Sequence, residues 1–135
     1  MALRSAPEVE DHVLNPDGDT PSFQLQEGRF VAAADVEAAM RKKQRTVLID
    51  ARAMSDRQRA HIHGAIPFPY YREHERIVAD MPDDATWIIV YCACPHAGSG
   101  RVVDALRSHG IANTGIIDEG VIVWTQLGFP TQAGC

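Results

Sequence analysis

The chain has 135 residues, 45% hydrophobic and 23% charged, with a formal net charge of −5 at pH 7. That length supports one domain with a real core and excludes two comfortable ones; the acidic balance opposes nucleic acid or anionic lipid as partners. No run approaches the ~20 consecutive apolar residues of a membrane span, and the opening segment has no apolar stretch of signal-peptide length.

Residues 1–22 hold Pro7, Pro16, Asp17, Gly18 and Pro21 with little periodicity, which predicts an extended or partly disordered lead-in to a single domain over 23–135. From Ala33 the pattern is helical, with Val36, Ala39 and Met40 on one face and Arg41, Lys42 and Lys43 in the last turn, where cations suit the helix dipole. Asp35 and the alanines before it mark the start of this helix poorly. Thr46-Val47-Leu48-Ile49-Asp50 is a short apolar run ending in an acid, as expected of a strand buried on both faces of a parallel sheet. His61 and His63 read as part of a surface turn. Trp87-Ile88-Ile89-Val90-Tyr91 is a second buried strand, followed by a helix from Ser99 to His109 that Gly110 closes. Thr114 to Asp118 is a third strand, and Val121 to Leu127 a short helix stopped by Gly128 and Pro130.

Short apolar strands alternating with helices predict an α/β domain with a mainly parallel sheet, in which sites form beyond the carboxyl ends of the strands. Three features fall there: Asp50-Ala51-Arg52, the loop after Tyr91, and Asp118-Glu119-Gly120.

The loop, Cys92-Ala93-Cys94-Pro95-His96-Ala97-Gly98-Ser99-Gly100, carries two of the three cysteines; the third is Cys135. An odd count without framework spacing reads as thiols, and thiols favour a reducing compartment such as the cytoplasm. A cysteine between a buried strand and the amino end of a helix meets unpaired N–H groups and the positive end of the helix dipole, which favours thiolate. Gly98 and Gly100 let the backbone curl and turn its N–H groups inward around an anion. The plain alternative is a small buried thiol. A cysteine phosphatase needs an arginine six positions after the nucleophile; that position holds Gly98 for Cys92 and Gly100 for Cys94. A dithiol redox motif of the Cys-X-X-Cys kind is also missing, because only Ala93 separates the pair. Cys92, Cys94 and His96 alternate as metal ligands sometimes do, but His12, His61, His63, His74 and His109 supply no convincing complementary spacing, so no metal is assigned.

Taken together the motifs resemble the rhodanese-like domain, a sulfurtransferase fold, over about Phe30 to Pro130. Ile49-Asp50-Ala51-Arg52 resembles the family's Asp-Val-Arg segment. His61-Ile62-His63-Gly64-Ala65-Ile66-Pro67-Phe68-Pro69 resembles its His-Ile-Pro-Gly-Ala-Ile stretch, and Val90-Tyr91-Cys92 the strand leading into its active-site cysteine. Asp118 to Trp124, followed by Gly128-Phe129-Pro130, resembles its Gly-Gly-hydrophobic-X-X-Trp ending with Gly-X-Pro.

The resemblance implies a central parallel five-stranded sheet flanked by helices and a Cys92 that carries sulfane sulfur as a persulfide, without a metal or other cofactor. A donor such as thiosulfate would load it, and cyanide, a small thiol or a protein thiol would unload it. The backbone from Ala93 through Cys94, His96, Ala97, Gly98 and Ser99 to Gly100 would cradle the anion, with His96 and Arg101 as auxiliary contacts. Asp50 and Arg52 are expected to form a buried ion pair at the strand end, and Trp124 to anchor the core.

The loop departs from the family. Pro95 stands where glycine is common and removes an N–H, no arginine lies within the loop, and the distance from Cys92 to Gly110 is about one residue longer than usual. Cys94 is placed to attack a Cys92 persulfide, to protect Cys92 through a transient disulfide, or to sit as a passive side chain. The competing expectation is therefore a noncatalytic rhodanese-like module that binds a partner or senses redox state through the Cys-X-Cys pair.

Overall fold

The computed structural model describes residues 13–69, 79, 81–82, 84–92 and 97–134. Of the expected lead-in, residues 1–12 lie outside the described residues; in residues 13–22, Val13 is buried against the sheet, Leu14 is bridged antiparallel to Thr46, and the chain turns at Asn15, whose carbonyl accepts from Gly18 N at 2.8 Å.

Five strands form one parallel sheet in the order β1-β6-β5-β2-β4: β1 (Phe30–Val31), β2 (Thr46–Asp50), β4 (Ile66–Pro67), β5 (Trp87–Tyr91) and β6 (Thr114–Ile117). β3 (His61–Ile62) pairs antiparallel with β7 (Thr131–Gln132) in a separate ribbon. The helices whose bounds lie among the described residues are α1 (Ala33–Arg41), α2 (Met54–Arg59), α3 (Ala97–Ser108) and α4 (Gly120–Gln126). No helix among the described residues is long and apolar enough to cross a membrane.

The central strands are rich in Val, Leu and Ile because both faces are covered. Val102, Val103 and Leu106 of α3 pack on one face with Val47, Ile49, Ile88, Val90 and Ile116. Val36 of α1 and Val121 and Trp124 of α4 pack on the other with Leu48, Ile89, Tyr91 and Ile117. Side chains alternate along a strand. Tyr91 therefore belongs to the α1/α4 face and the next residue, Cys92, to the α3 face. Trp124 is fully buried, as expected of a core anchor, and its Nε1 donates to the Pro130 carbonyl at 3.0 Å.

The turn expected at His61 and His63 forms only from His63, which is exposed. His61 is fully buried in β3, paired in register with Gln132, and its Nδ1 lies 3.0 Å from the Arg57 carbonyl oxygen. The partner strand arrives from the far end of the chain, so the local sequence carries no sign of this burial. α2 likewise occupies a stretch for which the sequence indicates no element; it is six residues long and its N-cap, Ala53, makes no side-chain cap.

The poorly marked start of α1 also has a tertiary explanation. Ala32 provides no side-chain cap, and the Ala33 N–H instead donates to Glu119 Oε1 at 2.9 Å. A carboxylate there satisfies one of the open amide donors and complements the helix dipole. Glu119→Ala is expected to cost about 1 kcal/mol, the ordinary loss for a missing cap, read as a lower urea midpoint at unchanged slope.

Candidate active site

Cys92 follows β5, the middle strand of the sheet, and leaves it toward the amino end of α3. Its sulfur lies 3.2 Å from Ser99 Oγ in the first turn of that helix; Cys92 is 9% exposed and Ser99 fully buried. The adjacent strand ends close around it. Ala51 N donates to the Tyr91 carbonyl at 2.9 Å, and Val121 N donates to the Cys92 carbonyl at 3.3 Å, so the three strand-end features meet at one edge of the sheet. Gly120 turns with φ +77°, a left-handed conformation that glycine adopts without steric cost, and so directs α4 back toward Cys92. A Cβ at Gly100 would lie 3.2 Å from Arg29 Nη2, so the guanidinium, paired with Asp104 at 2.8 Å, would have to give by a few tenths of an ångström.

Of the expected site residues, the structure gathers Cys92, Gly98, Ser99 and Gly100 at the start of α3, with Ala97 opening the helix and the Arg101 side chain exposed on it. Ala93, Cys94 and His96 lie outside the described residues, as does Pro95. Among the described residues, no group of three His, Cys, Asp or Glu side chains is arranged to hold a metal ion. A groove of about 220 Å³, lined in part by Phe23, Asp35, Lys42 and Gln44, lies between the lead-in and α1 and includes none of the site residues.

Asp50 and Arg52 form the ion pair expected of them. The carboxylate is fully buried; Arg52 Nη2 donates to Oδ2 at 2.8 Å, Nε to Oδ1 at 3.0 Å, and Nη2 also reaches the Ala60 carbonyl. Burial opposes the guanidinium charge, but the hydrogen bonds and the negative charge of Asp50 outweigh it and raise the Arg52 pKa above the ordinary arginine value.

This network has a third member beyond the Asp50–Arg52 pair. Tyr91, fully buried, donates its hydroxyl to Asp50 Oδ2 at 3.0 Å and accepts from Ile62 N–H at 2.9 Å. Burial, and then the neighbouring carboxylate, push the phenol far above its usual range, so it remains a donor. The available signal was a tyrosine closing an otherwise aliphatic strand, since a buried phenol needs a partner for its hydroxyl.

Either partner can donate in the Cys92–Ser99 contact, and once the sulfur is a thiolate the Ser99 hydroxyl is the one that donates, which favours the negative charge. Ser99→Ala is thus expected to slow modification of Cys92 by a thiol-specific reagent several-fold, about the effect of one lost hydrogen bond, without unfolding the domain. Mass mapping of the modified peptide checks this.

Residues 32–127 match the model of the rhodanese-like domain, and the chain belongs to that family. Its fold is that of solved members. It aligns with a rhodanese-like domain from Anabaena sp. at a TM-score of 0.69 and 23% identity over 80% of each chain. A protein from Bacillus halodurans aligns at 0.70 and 17% identity, over 79% of this chain and 78% of its own. A thiosulfate sulfurtransferase from Pseudomonas aeruginosa aligns at 0.64 and 28% identity, covering 99% of this chain but 23% of that longer one. No curated protein matches the chain.

Proposed function

We propose that this rhodanese-like domain is a sulfurtransferase in which Cys92 carries sulfane sulfur as a persulfide. The observation that carries the reading is the Cys92 sulfur at the end of the middle strand, 3.2 Å from the Ser99 hydroxyl in the first turn of α3. A parallel α/β sheet binds ligands at this edge, and a helix start supplies the N–H groups that an anionic sulfur needs.

The Cys92 thiolate attacks the outer sulfur of a donor such as thiosulfate, the donor S–S bond breaks, and sulfite leaves with the bonding electron pair. Cyanide or a thiolate then attacks the terminal sulfur of the persulfide and restores the Cys92 thiolate; the products are thiocyanate or a new persulfide. The donor is a small sulfur compound and the acceptor cyanide or a small thiol in this reading, with a protein thiol as a further acceptor. Ser99 stabilises charge on sulfur, and Arg101, together with the loop from Ala93 to Gly100, attracts the anionic donor. Pro95 and the absence of an arginine in that loop weaken thiosulfate as the donor relative to a persulfide or polysulfide.

The test is thiocyanate formation from cyanide with thiosulfate and with polysulfide as donors. Turnover dependent on Cys92, faster with polysulfide, supports the proposal. Absence of turnover with either donor favours the second reading, a redox-sensing module, for which the specific support is Cys94 two residues after Cys92 in a loop without its usual arginine.

A further inference from the structure

We propose that the Tyr91 hydroxyl is a positioning group for Cys92, fixing the end of β5 so that the sulfur is delivered to the amino end of α3. The proposal rests on Cys92 as the reactive thiol. Tyr91 is held at both ends. Its carbonyl accepts from Ala51 N at 2.9 Å, while its hydroxyl joins Asp50 Oδ2 at 3.0 Å to Ile62 N at 2.9 Å. Arg52 lies over the ring, 5.7 Å from its centroid, and grips both Asp50 and the Ala60 carbonyl. One hydroxyl thus ties together β2, β5 and β3.

The next residue is Cys92, whose own carbonyl is held by Val121 N at 3.3 Å. With the Tyr91 ring fixed on the α1/α4 face, strand alternation leaves Cys92 one direction, toward Ser99. Without the hydroxyl, the buried Ile62 N–H loses its acceptor and Asp50 Oδ2 loses a donor. Relief of those orphaned groups requires movement of β3 and the β5 end relative to one another. The sulfur sits at the moving end.

The experiment compares Tyr91→Phe with Val36→Ala, both in a Cys94→Ser/Cys135→Ser background so that one thiol reports. Val36 is buried in the same core face as Tyr91 but on α1, outside the hydrogen-bond network. The rate of Cys92 alkylation by iodoacetamide is followed by intact mass in sucrose buffer, which favours the compact state, with circular dichroism as the check on folding.

Tyr91→Phe is expected to slow alkylation by about fivefold and Val36→Ala by less than about twofold, even where the two lose similar thermal stability. Where thiocyanate turnover is measurable, the loss falls on kcat and not on KM for the donor. Equal slowing in both variants, an unchanged rate in Tyr91→Phe, or a Tyr91→Phe chain that does not fold in sucrose overturns the proposal. Failure of the unsubstituted protein to take sulfur from any donor, with the alkylation contrast intact, overturns the sulfurtransferase reading and leaves the role of Tyr91 standing.

Discussion

Cys92→Ser is expected to form no thiocyanate and to hold no sulfur, while folding as the unsubstituted chain does. The replacement is nearly isosteric, and the side chain at residue 92 sits beside the Ser99 hydroxyl, which is able to bond an oxygen as readily as a sulfur. The fold therefore has little reason to change, and a thermal midpoint within a few degrees is the check. The chemistry differs completely. A serine hydroxyl is essentially un-ionised at neutral pH, and oxygen does not replace sulfur in a thiol–disulfide type of exchange. Cys94→Ser is the companion. In the proposed mechanism it keeps sulfur loading at Cys92, whereas a redox sensor built on the pair loses its response.

The second large effect is on stability. Asp50→Ala removes the carboxylate from a fully buried site and leaves the Arg52 guanidinium, 10% exposed in its side chain, without its counter-charge, together with a Tyr91 hydroxyl whose acceptor has gone. Breaking a buried pair from one side costs about 3–5 kcal/mol, a large share of the ~5–15 kcal/mol that holds a typical domain together. Urea unfolding is expected to show a midpoint close to loss of the fold. The double replacement Asp50→Leu/Arg52→Met should regain much of that loss, because both charges leave the interior together. A single variant within about 1 kcal/mol of the unsubstituted protein would mean that water reaches the pair.

The parts of this molecule legible in its sequence are those whose reasons are local. β2 and β5 are runs of residues buried on both faces, α1 and α3 have apolar stripes at helical spacing, and Gly110 and Gly128 end their helices with positive φ. The Asp50–Arg52 pair was legible because its members are two residues apart, at the end of a buried strand where a charge needs a partner. What stayed hidden depends on distant partners. His61 is buried because β7 covers it, α1 is capped by Glu119 from 86 residues away, and Tyr91 acts through Asp50 and Ile62 from other strands. Ser99 shows the intermediate case. Its place in a glycine-rich loop marked it as part of an anion cradle, but its hydroxyl's approach to the Cys92 sulfur depends on how tightly α3 begins.

Intact-mass measurement after incubation with thiosulfate or polysulfide, on the unsubstituted chain beside Cys92→Ser and Cys94→Ser, decides whether Cys92 carries the sulfur. A gain of one sulfur atom, removed by cyanide, is expected in the unsubstituted chain and in Cys94→Ser, with no gain in Cys92→Ser. No gain in the unsubstituted chain, or a gain that persists in Cys92→Ser and disappears in Cys94→Ser, would contradict that role.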